Sequence, residues 1–162
     1  MPPITIQKDP ANRAMTVTVE LAAPVERAWQ LWADPRQLER WWGPPSHPAT
    51  VVDHDLRADG RVTYFMTSPE GEKYHGAWRV LSVEAPHHLE VEDVFTDDAG
   101  NPVPDLPVSM MVVELREVAA GTTMHMHSTW PTLEAMEQVL AMGMEEGLTG
   151  ALSQIDAILA AG

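Results

Sequence analysis

The feature that most constrains this chain is the apolar periodicity of its carboxy-terminal segment. Across residues 131–161, Leu133, Met136, Leu140, Met144, Leu148, Leu152, Ile155 and Leu159 recur in steps of three and four, which places them on one stripe of a helix. Thr132, whose hydroxyl can cap the first turn, and Glu134 just inside it mark the start. The expectation is one long amphipathic helix whose stripe must be buried. Gly143, Gly147 and Gly150 stand at i, i+4 and i+7 on a shared face beside the stripe. A glycine in a helix interior costs about 1 kcal/mol relative to alanine, so three of them point to a close approach. Packed backbone is the favoured neighbour and a ligand the alternative.

A stripe of this length needs a surface to cover, and the preceding chain supplies one. Residues 15–21 alternate, with Met15, Val17, Val19 and Leu21 on one face and Thr16, Thr18 and Glu20 on the other, after a polar lead-in. Pro24 opens a helix carrying Val25, Ala28, Trp29 and Trp32, which Asp34-Pro35 ends. A second short helix over 35–42 carries Leu38, Trp41 and Trp42, and Gly43-Pro44-Pro45 stops it. Strands are expected over 49–56, 61–68, 73–84, 89–96, 108–117 and 122–130, with a hairpin tip at Pro69-Glu70-Gly71-Glu72 and a bend or bulge at Gly76. The proline-rich residues 97–107 read as a long solvent-facing connection, the expected mobile element.

This order predicts an α+β fold. A curved antiparallel sheet of about seven strands, with two short helices after the first strand, should wrap around the long terminal helix and can leave a cavity beneath it. All 162 residues are expected to form one domain.

Composition narrows the function classes. Ten Lys+Arg against 24 Asp+Glu give a net charge of −14, which repels phosphate backbones and anionic lipid, so no nucleic acid and no membrane insertion are expected. No apolar run approaches a membrane span and the first residues lack a signal-peptide pattern, so the expected location is cytoplasmic. The absence of cysteine removes disulfides, thiol nucleophiles and cysteine-bound zinc.

Several motifs together resemble a known family. They are Arg40-Trp41-Trp42-Gly43-Pro44 after two short helices, Leu56-Arg57-Ala58-Asp59-Gly60-Arg61 entering a strand, His75-Gly76-Ala77-Trp78, the turn over 86–89, Gly121-Thr122, and Glu146-Gly147-Leu148-Thr149-Gly150-Ala151-Leu152 in the terminal helix. Over about residues 14–160 the chain is similar to the family named for the activator of the Hsp90 ATPase, within the START-like, or Bet v 1-like, superfamily. The resemblance implies a helix-grip fold with a cavity under the long helix and a superfamily that binds apolar or amphipathic small molecules, lipid carriers and aromatase/cyclases among its members. Three positions depart from the family's common pattern: Asp59-Gly60 in place of Gly-Gly, Gly147-Leu148 in place of Gly-Trp, and the proline-rich insertion at 101–107. Members that act on Hsp90 carry a further amino-terminal domain for which 162 residues leave no room, so an Hsp90-type chaperone is not expected as a partner.

Candidate chemistry is sparse. His125 and His127 share a strand face, a spacing metals can use, but Met124 and Met126 on the other face should turn inward and leave both histidines in solvent. No third ligand is evident among His47, His54, His87 and His88, so no metal and no other cofactor is expected. Asp93 shares a strand face with Leu89, Val91 and Phe95. A carboxyl there would have a raised pKa and could act as a general base, or it could pair with Arg61 or Arg79. The acidic residues Glu134, Glu137, Glu145 and Glu146 read as the wet side of the helix.

The expected ligand-lining set is Trp42, Tyr64, Met66, Tyr74, Trp78, Asp93, Phe95, Met124, Met126, Trp130, Met136, Gly143 and Gly147, with Tyr64, Tyr74, Trp78 and Asp93 as polar handles in a mostly apolar site. The leading reading is a binder of a small apolar or amphipathic molecule. The alternatives are a cofactor-free enzyme of the aromatase/cyclase kind working through Asp93 or a histidine, and a co-chaperone-like interaction module. A homodimer is left open.

Overall fold

Strand pairing sets the frame onto which everything else packs. The computed structural model describes residues 2–161. Its strands are β1 (Ile4–Asp9), β2 (Ala14–Leu21), β3 (Ala49–His54), β4 (Arg61–Thr67), β5 (Lys73–Glu84), β6 (His88–Thr96), β7 (Ser109–Val118) and β8 (Gly121–Thr129). They form one antiparallel sheet in the order β1-β2-β8-β7-β6-β5-β4-β3. The described residues thus hold eight strands, where the sequence pattern predicts about seven. The additional one, β1, lies in the stretch expected to be a polar lead-in. As an edge strand it contributes only Ile4 and Ile6 to the core, and two apolar residues make a weak periodic signal.

The register carries inward-facing side chains across the whole sheet. Val17 pairs with Ile6 and Met126, Met126 with Val113, and Val113 with Leu89. A second row runs from Met15 through Ser128, Met111 and Val91 to Val80. These alternate positions bury one face of an antiparallel sheet. Gly76 does not form the expected bulge. It pairs in register with Tyr64 and Phe95, and the shift in β5 falls between Val80 and Ser82.

Two helices follow β2, as the prolines predict: α1 (Val25–Ala33) and α2 (Pro35–Trp41). Asp34 caps α2 by accepting from the Arg36 amide at 2.9 Å, which holds its carboxyl below the usual carboxylate range. Helix α1 covers β7 and β8, and α2 packs on β3 and on the end of the chain. Trp32 and Trp41 are fully buried, with ring centroids 4.8 Å apart. The Trp41 Nε1–H donates to the Leu31 carbonyl and the Trp32 Nε1–H to the Met124 sulfur.

The carboxy-terminal segment departs most from expectation. It comprises three shorter helices, α3 (Leu133–Ala141), α4 (Met144–Leu152) and α5 (Ile155–Ala160), instead of one long helix. Thr132 caps the first by accepting from the Ala135 amide at 3.0 Å. The break after α3 lies at Gly143, whose φ of 89° is in the left-handed region that glycine tolerates. Along the stripe, Met136, Leu152 and Ile155 are buried, Leu140, Met144, Leu148 and Leu159 only partly, and Leu133 is 39% exposed.

Candidate functional site

The helical segment is only partly buried in its middle because a cavity lies beneath it. Its volume is about 480 Å³, within the range of small-molecule pockets, roughly 300–1,000 Å³. Its floor comes from the inward positions of the sheet: Val17 on β2, Tyr64 and Met66 on β4, Asp93 and Phe95 on β6, Ser109 and Met111 on β7, Met126 and Ser128 on β8. Its roof comes from Val139, Met142, Gly143, Met144, Gly147 and Leu148, and Trp42 and Pro44 close the side next to α2. Tyr74 and Met142, 54% and 53% exposed, stand with His47 at the rim.

One polar pair stands out on this floor. Tyr64 on β4 donates its phenol to Asp93 Oδ1 on β6 at 3.0 Å, reaching across β5. The intervening residue is Gly76, and a Cβ built there would lie 2.5 Å from the end of the Tyr64 ring. The glycine therefore gives the ring its path across the strand. Burial pushes the Asp93 carboxyl up to about 7, against the opposing effect of the Tyr64 hydrogen bond. Burial, and then the Asp93 charge, push the Tyr64 phenol well above its usual value. Both residues are part-buried and line the cavity. Beside them sits Trp42, with its ring 6.0 Å from Tyr64 and 4.9 Å from Trp78. Its buried Nε1–H makes no hydrogen bond of ordinary geometry among the described residues, though Trp42 acts on the Tyr64 phenol as a weak donor and opposes the effect of burial there.

The structure divides the expected ligand set. Trp42, Tyr64, Met66, Tyr74, Asp93, Phe95, Met126, Gly143 and Gly147 line the cavity. Trp78, Met124, Trp130 and Met136 do not. They are 0–3% exposed within the packed core, so Trp78 is not a handle inside the cavity. Asp93 pairs with neither Arg61 nor Arg79. Arg61 donates to the Gly100 carbonyl and Arg79 meets Glu92; both arginines alternate with inward-facing Val62 and Trp78 and so lie on the outer face. The three glycines also separate. Gly143 and Gly147 border the cavity, whereas a Cβ on Gly150 would touch Pro44 and Pro45.

Ser109 and Ser128 are polar lining residues absent from the expected set. Their signal was available in the alternation, since Ser109 shares its face with Met111 and Val113, and Ser128 with Met124 and Met126. His125 and His127 point away from the core toward Thr18 and Thr16, at 3.2 and 2.8 Å. His87 meets the Leu115 carbonyl, His88 meets Glu114 and His54 meets the Trp32 carbonyl. Among the described residues, no group of three His, Cys, Asp or Glu side chains is placed to hold a metal ion. Glu145 of the acidic set pairs with Lys8 at 2.9 Å. Also among these residues, no helix is long and apolar enough to cross a membrane.

The family described as activator of Hsp90 ATPase homolog 1-like protein matches residues 22–160. The crystal structure of a Mycobacterium smegmatis protein is 53% identical and superposes with a TM-score of 0.90 over 97% of each chain. A solution structure of an Arthrobacter aurescens protein is 42% identical, with a TM-score of 0.92 over 98% of this chain and 92% of that one. A Staphylococcus epidermidis protein is 26% identical, with a TM-score of 0.83 over 96% and 93%. No curated protein matches the chain.

Proposed function

The chain belongs to the activator of Hsp90 ATPase homolog 1-like family, and from that premise we propose that it binds a small apolar or amphipathic molecule between the sheet and helices α3 and α4. The observation that carries this reading is the cavity itself. It joins a mostly apolar wall to one buried hydrogen-bonded pair, Tyr64 and Asp93, that can orient a ligand's polar group. Methionines at 66, 111, 126, 142 and 144 give the wall side chains that adapt to shape.

The test is thermal stabilisation by apolar compounds, set against a variant that fills the site. A Cβ on Gly147 would meet nothing within 4 Å, so Gly147→Leu should fold and project its side chain into the cavity. At ligand concentrations near 100 times Kd, binding adds about 2.7 kcal/mol, a rise in Tm of about 5–10 °C for a domain of this size. Gly147→Leu should abolish the rise. A rise that persists in the variant places the ligand elsewhere.

The same pair supports a second reading, a cofactor-free enzyme that moves a proton through Asp93, because a carboxyl held at about 7 suits proton transfer at neutral pH. Such an enzyme should lose turnover by about two orders of magnitude or more in Asp93→Asn while retaining its substrate. Unchanged turnover rejects the role.

A further inference from the structure

Resting on the binding reading above, the charge arrangement of the cavity identifies the chemical class of its ligand. Asp93 is the only carboxylate among the lining residues, and no lysine or arginine lines the cavity. Tyr64 occupies Asp93 Oδ1, and Oδ2 has no hydrogen-bond partner among the described residues. Asp93 meets Tyr64 from β4, Trp78 from β5 and Ser109 from β7, Trp42 packs on Tyr64 and Trp78, and the helices opposite supply Val139, Met142, Gly143, Met144, Gly147 and Leu148 to the same lining. None of these can be a cation. The other titratable groups of the lining, His47 and Tyr74, stand at the rim and interact with each other, their rings 6.1 Å apart.

Once ionised, as it is at about pH 8, a carboxylate so placed has no counterion in the lining. An anionic ligand would bring a second negative charge into the same desolvated site, which is strongly unfavourable. A neutral hydroxyl would gain one ordinary hydrogen bond. A cation would complete the pair, in a lining that also holds the aromatic rings of Trp42, Tyr64 and Phe95. The protein's net charge of −14 draws cations toward the rim. We propose that the ligand is an organic amine, an apolar body bearing one ammonium group that pairs with the Asp93 carboxylate.

Three probes with one apolar body and different heads test this: naphthylethylamine, naphthylethanol and naphthylacetic acid, titrated calorimetrically into the full chain at about pH 8, where a carboxyl of about 7 is ionised. The amine should bind about tenfold more tightly than the alcohol, or more, since a charge-assisted bond is worth that much, and the acid most weakly. Asp93→Asn should bring amine and alcohol to within about threefold of each other, and Tyr64→Phe, which removes the hydrogen bond that favours the ionised carboxyl, should move the onset of the amine preference to higher pH without abolishing it. Without any variant, lowering the pH to about 5 should weaken the amine and leave the alcohol unchanged. An alcohol or acid that binds as tightly as the amine overturns the proposal and leaves the cavity as a binding site. An amine preference that survives Asp93→Asn also overturns it. Binding of none of the three counts against the cavity reading and against this proposal with it.

Discussion

At one end of the concave face, Trp78, Leu89, Val113 and Met124 belong to one packed cluster with Trp32, Trp41, Leu152 and Ile155, all essentially inaccessible. At the other end, Tyr64, Asp93, Ser109 and Met126 look across a cavity at Gly143 and Gly147. Both ends belong to one sheet with one alternation, and both lie under the same apolar stripe. The difference is in what arrives from above: two tryptophan-bearing helices at the first end, and at the second a helical segment interrupted at Gly143 with a bare glycine facing the sheet. A cavity here results from side chains withheld from the roof. The floor keeps its alternation while Tyr64, Asp93 and Ser109 replace aliphatic residues on it.

This contrast can be broken in four places, from the largest effect downward. The first is Asp93. Its folded pKa of about 7 lies above the ordinary aspartate value of 3.8, so between those values the folded state holds a proton that the unfolded chain has released. Stability conferred by that proton is complete below about pH 4 and is lost as pH rises through about 7. At 1.36 kcal/mol per unit the loss is on the order of 4 kcal/mol. Denaturant unfolding of wild type against Asp93→Asn from pH 4 to 8 measures it, and parallel curves would sink the argument. The second is a matched pair of leucines on α4. Leu152→Ala, in the packed end, should cost about 3 kcal/mol by chemical denaturation, whereas Leu148→Ala, over the cavity, should cost about 1 kcal/mol or less because the space beneath it already exists. Equal losses would mean that the two ends are packed alike.

The third is Gly76→Ala. Its methyl group must displace the Tyr64 ring, breaking the bond to Asp93, at about 1–3 kcal/mol. Tyr64→Phe combined with Gly76→Ala should recover none of that bond, so a double-mutant cycle reports the coupling. The fourth is Gly147→Ala, which meets no neighbour within 4 Å and should stabilise the protein by about 1 kcal/mol through helix propensity alone. Destabilisation would show that the glycine is held by a contact.

Much of the fold was legible in the residues because its signals are local. Pro24 and Asp34-Pro35 bound α1, the Asp34 side chain begins α2, Gly43-Pro44-Pro45 prevents its continuation, and Thr132 caps α3. The three-part carboxy-terminal segment was not legible from periodicity. The breaks at Gly143 and Ser153-Gln154 leave the apolar steps of three and four in phase, so the stripe reads as continuous. Of the site, Asp93 could be placed on the inward face from Leu89, Val91 and Phe95. Strand parity also held enough to exclude Arg61 and Arg79 as its partners, because both alternate with inward residues.

What the sequence by itself determined is therefore which face most residues of the strands after β1 take and where α1, α2 and α3 begin, since parity, proline geometry and capping act over a few residues. Whether an inward residue ends in core or in cavity was decided only by the tertiary structure. Met124 and Met126 carry the same signal two residues apart, yet Met124 lies under Trp32 and Met126 lines the cavity. Which side chain arrives opposite a strand position depends on helices distant in the chain, and no local pattern encodes that. The meeting of Tyr64 with Asp93 across Gly76 has the same origin. It joins three strands, and it required the register of all three to be fixed.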